Sequence, residues 1–160
     1  MKILAASQLP GGNDKNDIVD PYVEMVLIEF DPNSASSVKA NKDNSMNEYN
    51  NNNLPTSESE KIRKKHRTKT IKNNGMNPEW SEELDNTFRF KCVKDTTFLV
   101  LKVKDEDKYS EDDDLGRFII PLRYARQGYR HVFLEGKKGQ TIKNRKCCVL
   151  LHLKEIKSNK

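Results

Sequence analysis

Apolar residues along this chain recur mainly at every second position, the period of a half-buried β-strand. Eight stretches carry that alternation together with β-branched or aromatic enrichment: "KILAASQL", "YVEMVLIEF", "HRTKTIK", "EELDNTFRFKC", "TTFLVLKVKD", "RFIIPL", "RHVFL" and "CCVLLHLKEI". Turn-forming clusters separate them, among them "PGGNDKND", "NNGMNP", "EDDDLG" and "EGKKGQ". Short strands punctuated in this way predict an all-β chain, an eight-stranded antiparallel β-sandwich. No segment holds a long helical period, and "RYARQGY" has room for one helical turn.

The alternation fails over residues 33–60. Eight Asn and six Ser fall there with few apolar side chains, as in "NEYNNNNLPTSESE". Such a segment buries too little surface to offset the entropy of ordering it. It is expected to be a disordered insertion after the second strand of a single domain spanning residues 1–160. If strands alternate up and down, the connections after odd-numbered strands share one end of the sandwich. "PGGNDKNDIVD", "NNGMNPE", "DEDKYSEDDDLG" and "EGKKGQTIKNRK" then meet at that end, and the insertion joins at the other.

Composition narrows the class. Apolar residues make up 34% and charged residues 33%, which suits a modest core. No run of eighteen apolar residues occurs, and "MKILAASQLPGG" is too short and too polar beyond Ala6 for a secretory signal. Cys92, Cys147 and Cys148 are odd in number, with two adjacent, so a disulfide framework is not expected. The expectation is a reducing, cytoplasmic setting. Zinc-ligand spacings do not occur.

The net charge is +5, yet seven of the ten residues from Asp105 to Asp114 are acidic. With the loop "DKNDIVDP", the same end would offer Asp14, Asp17, Asp20, Asp105, Glu106, Asp107, Glu111, Asp112, Asp113 and Asp114. Two unit charges ~4 Å apart repel by about 4 kcal/mol at an effective dielectric near 20, so converging carboxylates need a counter-charge. Calcium takes six to eight hard oxygen ligands with tolerant geometry. Asp105 and Asp107 stand two apart at a strand end, so their side chains can point the same way. Glu106 between them points away but can still offer its carbonyl. A solvated acidic turn is the plainer reading. An EF-hand loop fails, because Tyr109, Ser110 and Gly116 stand where its ligand, glycine and closing glutamate belong.

A second charged region is "KIRKKHRTKTIK", with seven Lys or Arg in twelve residues and no acid from Lys61 to Pro78. It reads as a solvated strand face or as a contact for an anionic membrane or phosphoinositide. On a strand over 66–72, Arg67 and Lys69 share one face while Thr68 and Thr70 point the other way. Nucleic acid is not expected as a partner, because aromatic residues are not interleaved with the basic ones. His66, His131 and His152 are scattered, and no nucleophile has a base partner in sequence, so catalysis is not visible. Trp80 and Phe88 are expected in the core, and His152 at an outward or core-edge position.

"IVDPYV" (Ile18 to Val23), "NPEW" (Asn77 to Trp80) and "DEDKYSEDDDLG" (Asp105 to Gly116), in this order and spacing, resemble a C2 domain. "LPGG", "TIKNNGMNPEW", "LGRFIIPL" and "QGYRHVFLEGKKG" extend the resemblance to the C-terminal C2 domain of delta-type eukaryotic phosphoinositide-specific phospholipase C. It covers nearly the whole chain except the Asn-rich stretch. The resemblance implies the phospholipase-type strand permutation, in which the extra strand closes the chain. It also implies calcium as cofactor, bound by loops at one end. Asp20, Asp105, Asp107 and Asp113 match side-chain ligands, and Asp14 matches an aspartate of synaptotagmin-like members. Ile18 and Glu106 match carbonyl donors, and Asn73 a side-chain oxygen. Asp17, Asp112 and Asp114 match no ligand. Many members carry a basic groove on the strand holding Lys61, Arg63, Lys64, Lys65, Arg67, Lys69 and Lys72, which implies lipid binding there. The expected partners are an anionic phospholipid membrane, phosphoinositide, and the catalytic barrel of a longer phospholipase C. The expected location is cytoplasmic, peripheral at membranes on calcium binding.

Overall fold

In the computed structural model, the described residues are 1–11, 18–30, 60–91, 95–136, 139–142 and 146–156. They form seven strands: β1 (Lys2–Ser7), β2 (Pro21–Phe30), β3 (Glu60–Arg67), β4 (Thr97–Asp105), β5 (Asp113–Pro121), β6 (Gly128–Phe133) and β7 (Cys148–Leu153). One sheet has the order β3-β2-β4-β5 and the other β1-β7-β6, and every pairing is antiparallel. The chain is therefore an all-β sandwich, with its last strand between β1 and β6.

Alternation decides which side chains meet. Val23, Met25 and Leu27 of β2 face Leu99, Leu101 and Val103 of β4 within the core, joined by Ile3 from β1 and Val149 and Leu151 from β7. Each is almost wholly buried. Burying a side chain of this size contributes about 1.5–3 kcal/mol. β2 and β4 lie inside their sheet, so their outward Val26 and Val100 are also shielded. Trp80 and Phe88 are core residues, as expected. His152 is half-buried and stacks on Tyr129, ring centroids 4.5 Å apart.

Three expectations need correction. The basic strand lies at 60–67 instead of 66–72. It stops at Arg67, so Arg67 and Lys69 do not share a strand face. The expected fourth strand over 82–92 is not regular among the described residues: a 3-10 turn occupies Glu82–Leu84, and Asp85 takes φ 53°. That left-handed residue breaks an extended run. The stretch still borders β1, through Ile3 N–H to Asn86 O and Trp80 N–H to Leu4 O. Finally, β5 starts at Asp113, not Arg117. The insertion expected over 33–60 lies outside the described residues, apart from Glu60, which opens β3.

Two local features shape the loop end. A register shift lies between Val103 and Lys104, where Gly116 and Asp114 are the partners and Leu115 is extra. Bulges of this kind re-aim side chains. Leu115 turns into the core, and Asp113, two residues before it, follows to the side of its partner Asp105. Gly116 admits the β6–β7 connection: a Cβ there would lie 2.8 Å from Ile142 Cδ1 and 3.0 Å from Leu134 Cβ.

Candidate functional site

The sequence puts an aspartate at the entry of β2 and an acidic run at the exit of β4, and antiparallel pairing brings them together. Pro21 pairs with Asp105, so Asp20 lies beside the end of β4. Asp20 then ties three connections into one unit. Its backbone N–H donates to Asp105 Oδ1 at 2.6 Å, and its carbonyl accepts from Glu106 N–H at 3.1 Å. Its Oδ1 accepts from Asn73 N–H at 2.7 Å. Asn73 has φ 55°, a left-handed turn conformation that asparagine tolerates, and this aims its N–H at Asp20. Ile71 N–H to Pro21 O and Gly75 N–H to Val19 O close the second connection onto the first.

The result is a recess of about 440 Å³ at one end of the sandwich, lined by Ile18, Asp20, Asn73, Asp105, Glu106, Asp107, Lys108 and Tyr109. Six expected metal-site residues therefore share one recess: Ile18, Asp20, Asn73, Asp105, Glu106 and Asp107. Asp113 stands across from Asp105 in the β4–β5 register. Asp14 lies outside the described residues. Phe30 and Glu60 pair at the opposite end of β2 from Pro21.

The carboxylates are already partly neutralised by the chain's own cations. Lys72 Nζ lies 3.2 Å from Asp20 Oδ2 and also pairs with Glu106 Oε2. Arg67 pairs with Glu106 Oε1, and its guanidinium lies 3.6 Å from the centre of the Tyr22 ring. The bond to Lys72 holds the Glu106 carboxyl below its ordinary range, and the same bond raises the Lys72 ammonium. Asp112 has a different task. Its Oδ2 accepts from Tyr22 O–H at 2.6 Å and its Oδ1 from Asp107 N–H at 3.2 Å, and the tyrosine bond lowers its pKa. Burial first, and then Asp112, push the Tyr22 hydroxyl upward.

The donor set fits a hard divalent cation in kind: carboxylates, a side-chain amide and backbone carbonyls, all oxygen. Among the described residues, no group of three or more His, Cys, Asp or Glu side chains is already drawn together to hold a metal ion. The Lys72 ammonium instead supplies positive charge between Asp20 and Glu106.

The basic residues divide sharply. The side chains of Lys61 and Lys65 have no hydrogen bond or ion pair with another described residue, and both are exposed. Arg63 pairs with Glu29. Lys64 donates to Arg89 O at 2.6 Å, and Lys69 to Glu83 O at 3.0 Å. His66 stacks on Phe88, ring centroids 5.5 Å apart. Sequence reasoning missed both the Lys72 bridge and an apolar rim. Ile18 and Tyr109, which line the recess, are 57% and 99% exposed. The signal for Lys72 was its position directly before Asn73.

The chain matches the sequence model of the C2 domain over residues 1–54 and 59–135. It is 31% identical over 141 residues to human 1-phosphatidylinositol 4,5-bisphosphate phosphodiesterase delta-1, covering 87% of this chain and 14% of that protein. It is 30% identical over 160 residues to the delta-3-A enzyme of Danio rerio, covering 98% of this chain and 16% of that one. The chain thus spans only a small part of these relatives. The solved structure of S. officinalis PLC21 matches with a TM-score of 0.59 and 25% identity, over 94% of this chain and 14% of that one. A C2 domain of plant extended synaptotagmin 1 shares the fold, with a TM-score of 0.56 and 17% identity over 93% and 86% of the two chains. The two-sheet sandwich, the order of the motifs and these matches together place the chain in the C2 domain family.

Proposed function

We propose that this chain is a calcium-dependent phospholipid-binding module, the C2 part of a phosphoinositide phospholipase C acting in phosphatidylinositol signalling. In this reading the chain alone is not catalytic, and the catalytic barrel belongs to a longer polypeptide. Its place of action is the cytoplasmic membrane surface, reached when calcium binds. The observation that carries the reading is the recess where Asp20, Asn73, Asp105 and Asp107 converge from three connections beside exposed Ile18 and Tyr109.

Asp14 and Asp113 complete the proposed side-chain ligands, and Ile18 and Glu106 offer carbonyls. Bound calcium would supply positive charge and open coordination positions for lipid phosphate. The aromatic and apolar rim suits the membrane–water interface, where amphipathic rings settle. Lys61 and Lys65 extend the positive surface away from the recess. Sedimentation with phosphatidylserine vesicles tests the reading. Binding should require calcium, vanish with EGTA, and weaken as salt rises.

A second reading is favoured by one observation: Lys72 and Arg67 already counter the charge on Asp20 and Glu106. A calcium-independent module would then bind phosphoinositide or a partner domain through the basic strand. Vesicle binding undiminished by EGTA would select it.

A further inference from the structure

We infer that Lys72 is a tethered counter-ion of the recess, which a divalent cation must displace and which, once displaced, binds the phosphate of an anionic lipid. The inference rests on the calcium reading above and specifies how that site is regulated. Asp20 has two carboxylate oxygens. Oδ1 is committed to Asn73 N–H at 2.7 Å, which leaves Oδ2 as the oxygen open to a cation. Lys72 Nζ holds that oxygen at 3.2 Å and reaches Glu106 at the same time. A metal ion and an ammonium cannot both sit against one oxygen without strong repulsion, so metal entry and the Lys72 contact exclude each other.

Lys72 can move. Its side chain is half exposed, lies beyond the end of β3, and carries the charge on a flexible four-carbon stem. Arg67 is held differently: it is stacked on Tyr22 as well as paired with Glu106, so its guanidinium has a second anchor. Displaced from Asp20, the Lys72 ammonium stays tethered to the rim of the recess. Two cationic centres then stand side by side, and a lipid phosphate can bridge them. The same residue therefore opposes metal binding and favours lipid binding.

That double role gives opposite signs in two measurements on the full chain. In calcium titration by calorimetry, Lys72→Met and Lys72→Gln should each bind calcium about threefold more tightly than the unchanged chain, the scale of losing one exposed ion pair. At saturating calcium, both should bind phosphatidylcholine–phosphatidylserine vesicles more weakly. Lys65→Met removes an unpaired charge from the same basic run and serves as control, with a smaller gain in calcium affinity. Equal gains for Lys65→Met and Lys72→Met would reduce the effect to general electrostatics and overturn the inference. Unchanged calcium affinity in both Lys72 variants would overturn it while leaving the calcium reading standing. Absence of calcium binding in all the proteins would remove the reading itself, and the inference with it.

Discussion

The basic run from Lys61 to Lys72 looks uniform as sequence, but the fold divides it into two unlike halves. On β3, the side chains of Lys61 and Lys65 face solvent without a partner among the described residues. Past the end of the strand, Lys69 and Lys72 are drawn to Glu83, Asp85, Asp20 and Glu106, and Arg67 joins them from the last strand position. Charge density alone therefore misstates what is available to a membrane. Cations already paired with carboxylates contribute to an anionic surface only when something releases them, whereas unpaired ones contribute at once. Arg67 and Lys72 belong to the acidic end, Lys69 to the turn around Glu83 and Asp85, and Lys61 and Lys65 to the open sheet edge.

The largest expected effect tests whether the acidic end is a built site. Asp105→Asn and Asp107→Asn should each weaken calcium binding by more than about tenfold. A unit charge at ~4 Å is worth up to about 4 kcal/mol at an effective dielectric near 20, which leaves ample margin. Asn at 105 still has an oxygen for the Asp20 N–H, so the fold should persist. Asp112→Asn should change calcium affinity less than about twofold. Asp112 serves Tyr22 and the Asp107 backbone, and an amide oxygen can still accept one of those bonds. Equal losses at 107 and 112, by calorimetry, would mean diffuse ion attraction and would dissolve the contrast between the two regions.

The next effect isolates the open half. Replacing Lys61 and Lys65 together by Ala should cost about 2 kcal/mol of binding to phosphatidylinositol-bisphosphate vesicles, at ~1 kcal/mol per basic residue near a charged surface. Calcium affinity should stay nearly unchanged. Lys64→Ala and Lys69→Ala should behave otherwise. Their ammonium groups hold the carbonyls of Arg89 and Glu83, so they should lower stability by up to about 1 kcal/mol each with little change in lipid preference. Vesicle flotation and thermal melting on the same variants separate the two behaviours. If all four substitutions lower vesicle binding alike, the run acts as one patch and its halves are not distinct.

What could be read from sequence follows from how each element is stabilised. β2, β4 and β7 bury Val23, Met25, Leu27, Leu99, Leu101, Val149 and Leu151 on one face, so period-two alternation reveals them. β3 is an edge strand without that signature. Its inward Lys64 and His66 lie over Phe88, and the strand is held by backbone pairing to β2. A basic segment therefore carries no apolar period, and the neighbouring "HRTKTIK" carries the clearer β-branched alternation. The start of β5 was hidden for a related reason: Asp113 and Asp114 pair with Asp105 and Lys104 by backbone geometry, against their turn-like composition. The convergence of Asp20, Asp105 and Asp107 was legible, because antiparallel alternation fixes which ends meet. Lys72 was not, although the same reasoning demanded a counter-charge.

The smallest expected effect concerns the end of β3 farthest from the recess. Deleting residues 34–59 should leave calcium affinity and vesicle binding within about twofold and shift the melting temperature only slightly. Phe30 and Glu60 are direct partners in the β2–β3 register, so a connection of a few residues can join them as a hairpin. Phe30 is held independently, by its N–H to Thr96 O at 2.9 Å and by an edge contact with Phe98, ring centroids 5.0 Å apart. Loop-closure entropy changes by only about 0.6 kcal/mol per doubling of length, so shortening the connection should stabilise slightly if at all. Lys61 begins one residue after this junction, whereas Lys72 lies beyond the other end of the strand. The deletion thus probes the end of the basic run that holds Lys61 without touching Lys72 and its partners Asp20 and Glu106. Loss of phosphoinositide binding with calcium affinity intact would show that residues 34–59 work together with Lys61 and Lys65. Loss of both, with a large drop in melting temperature, would show that the segment supports the sandwich, and the two halves could no longer be treated as separate.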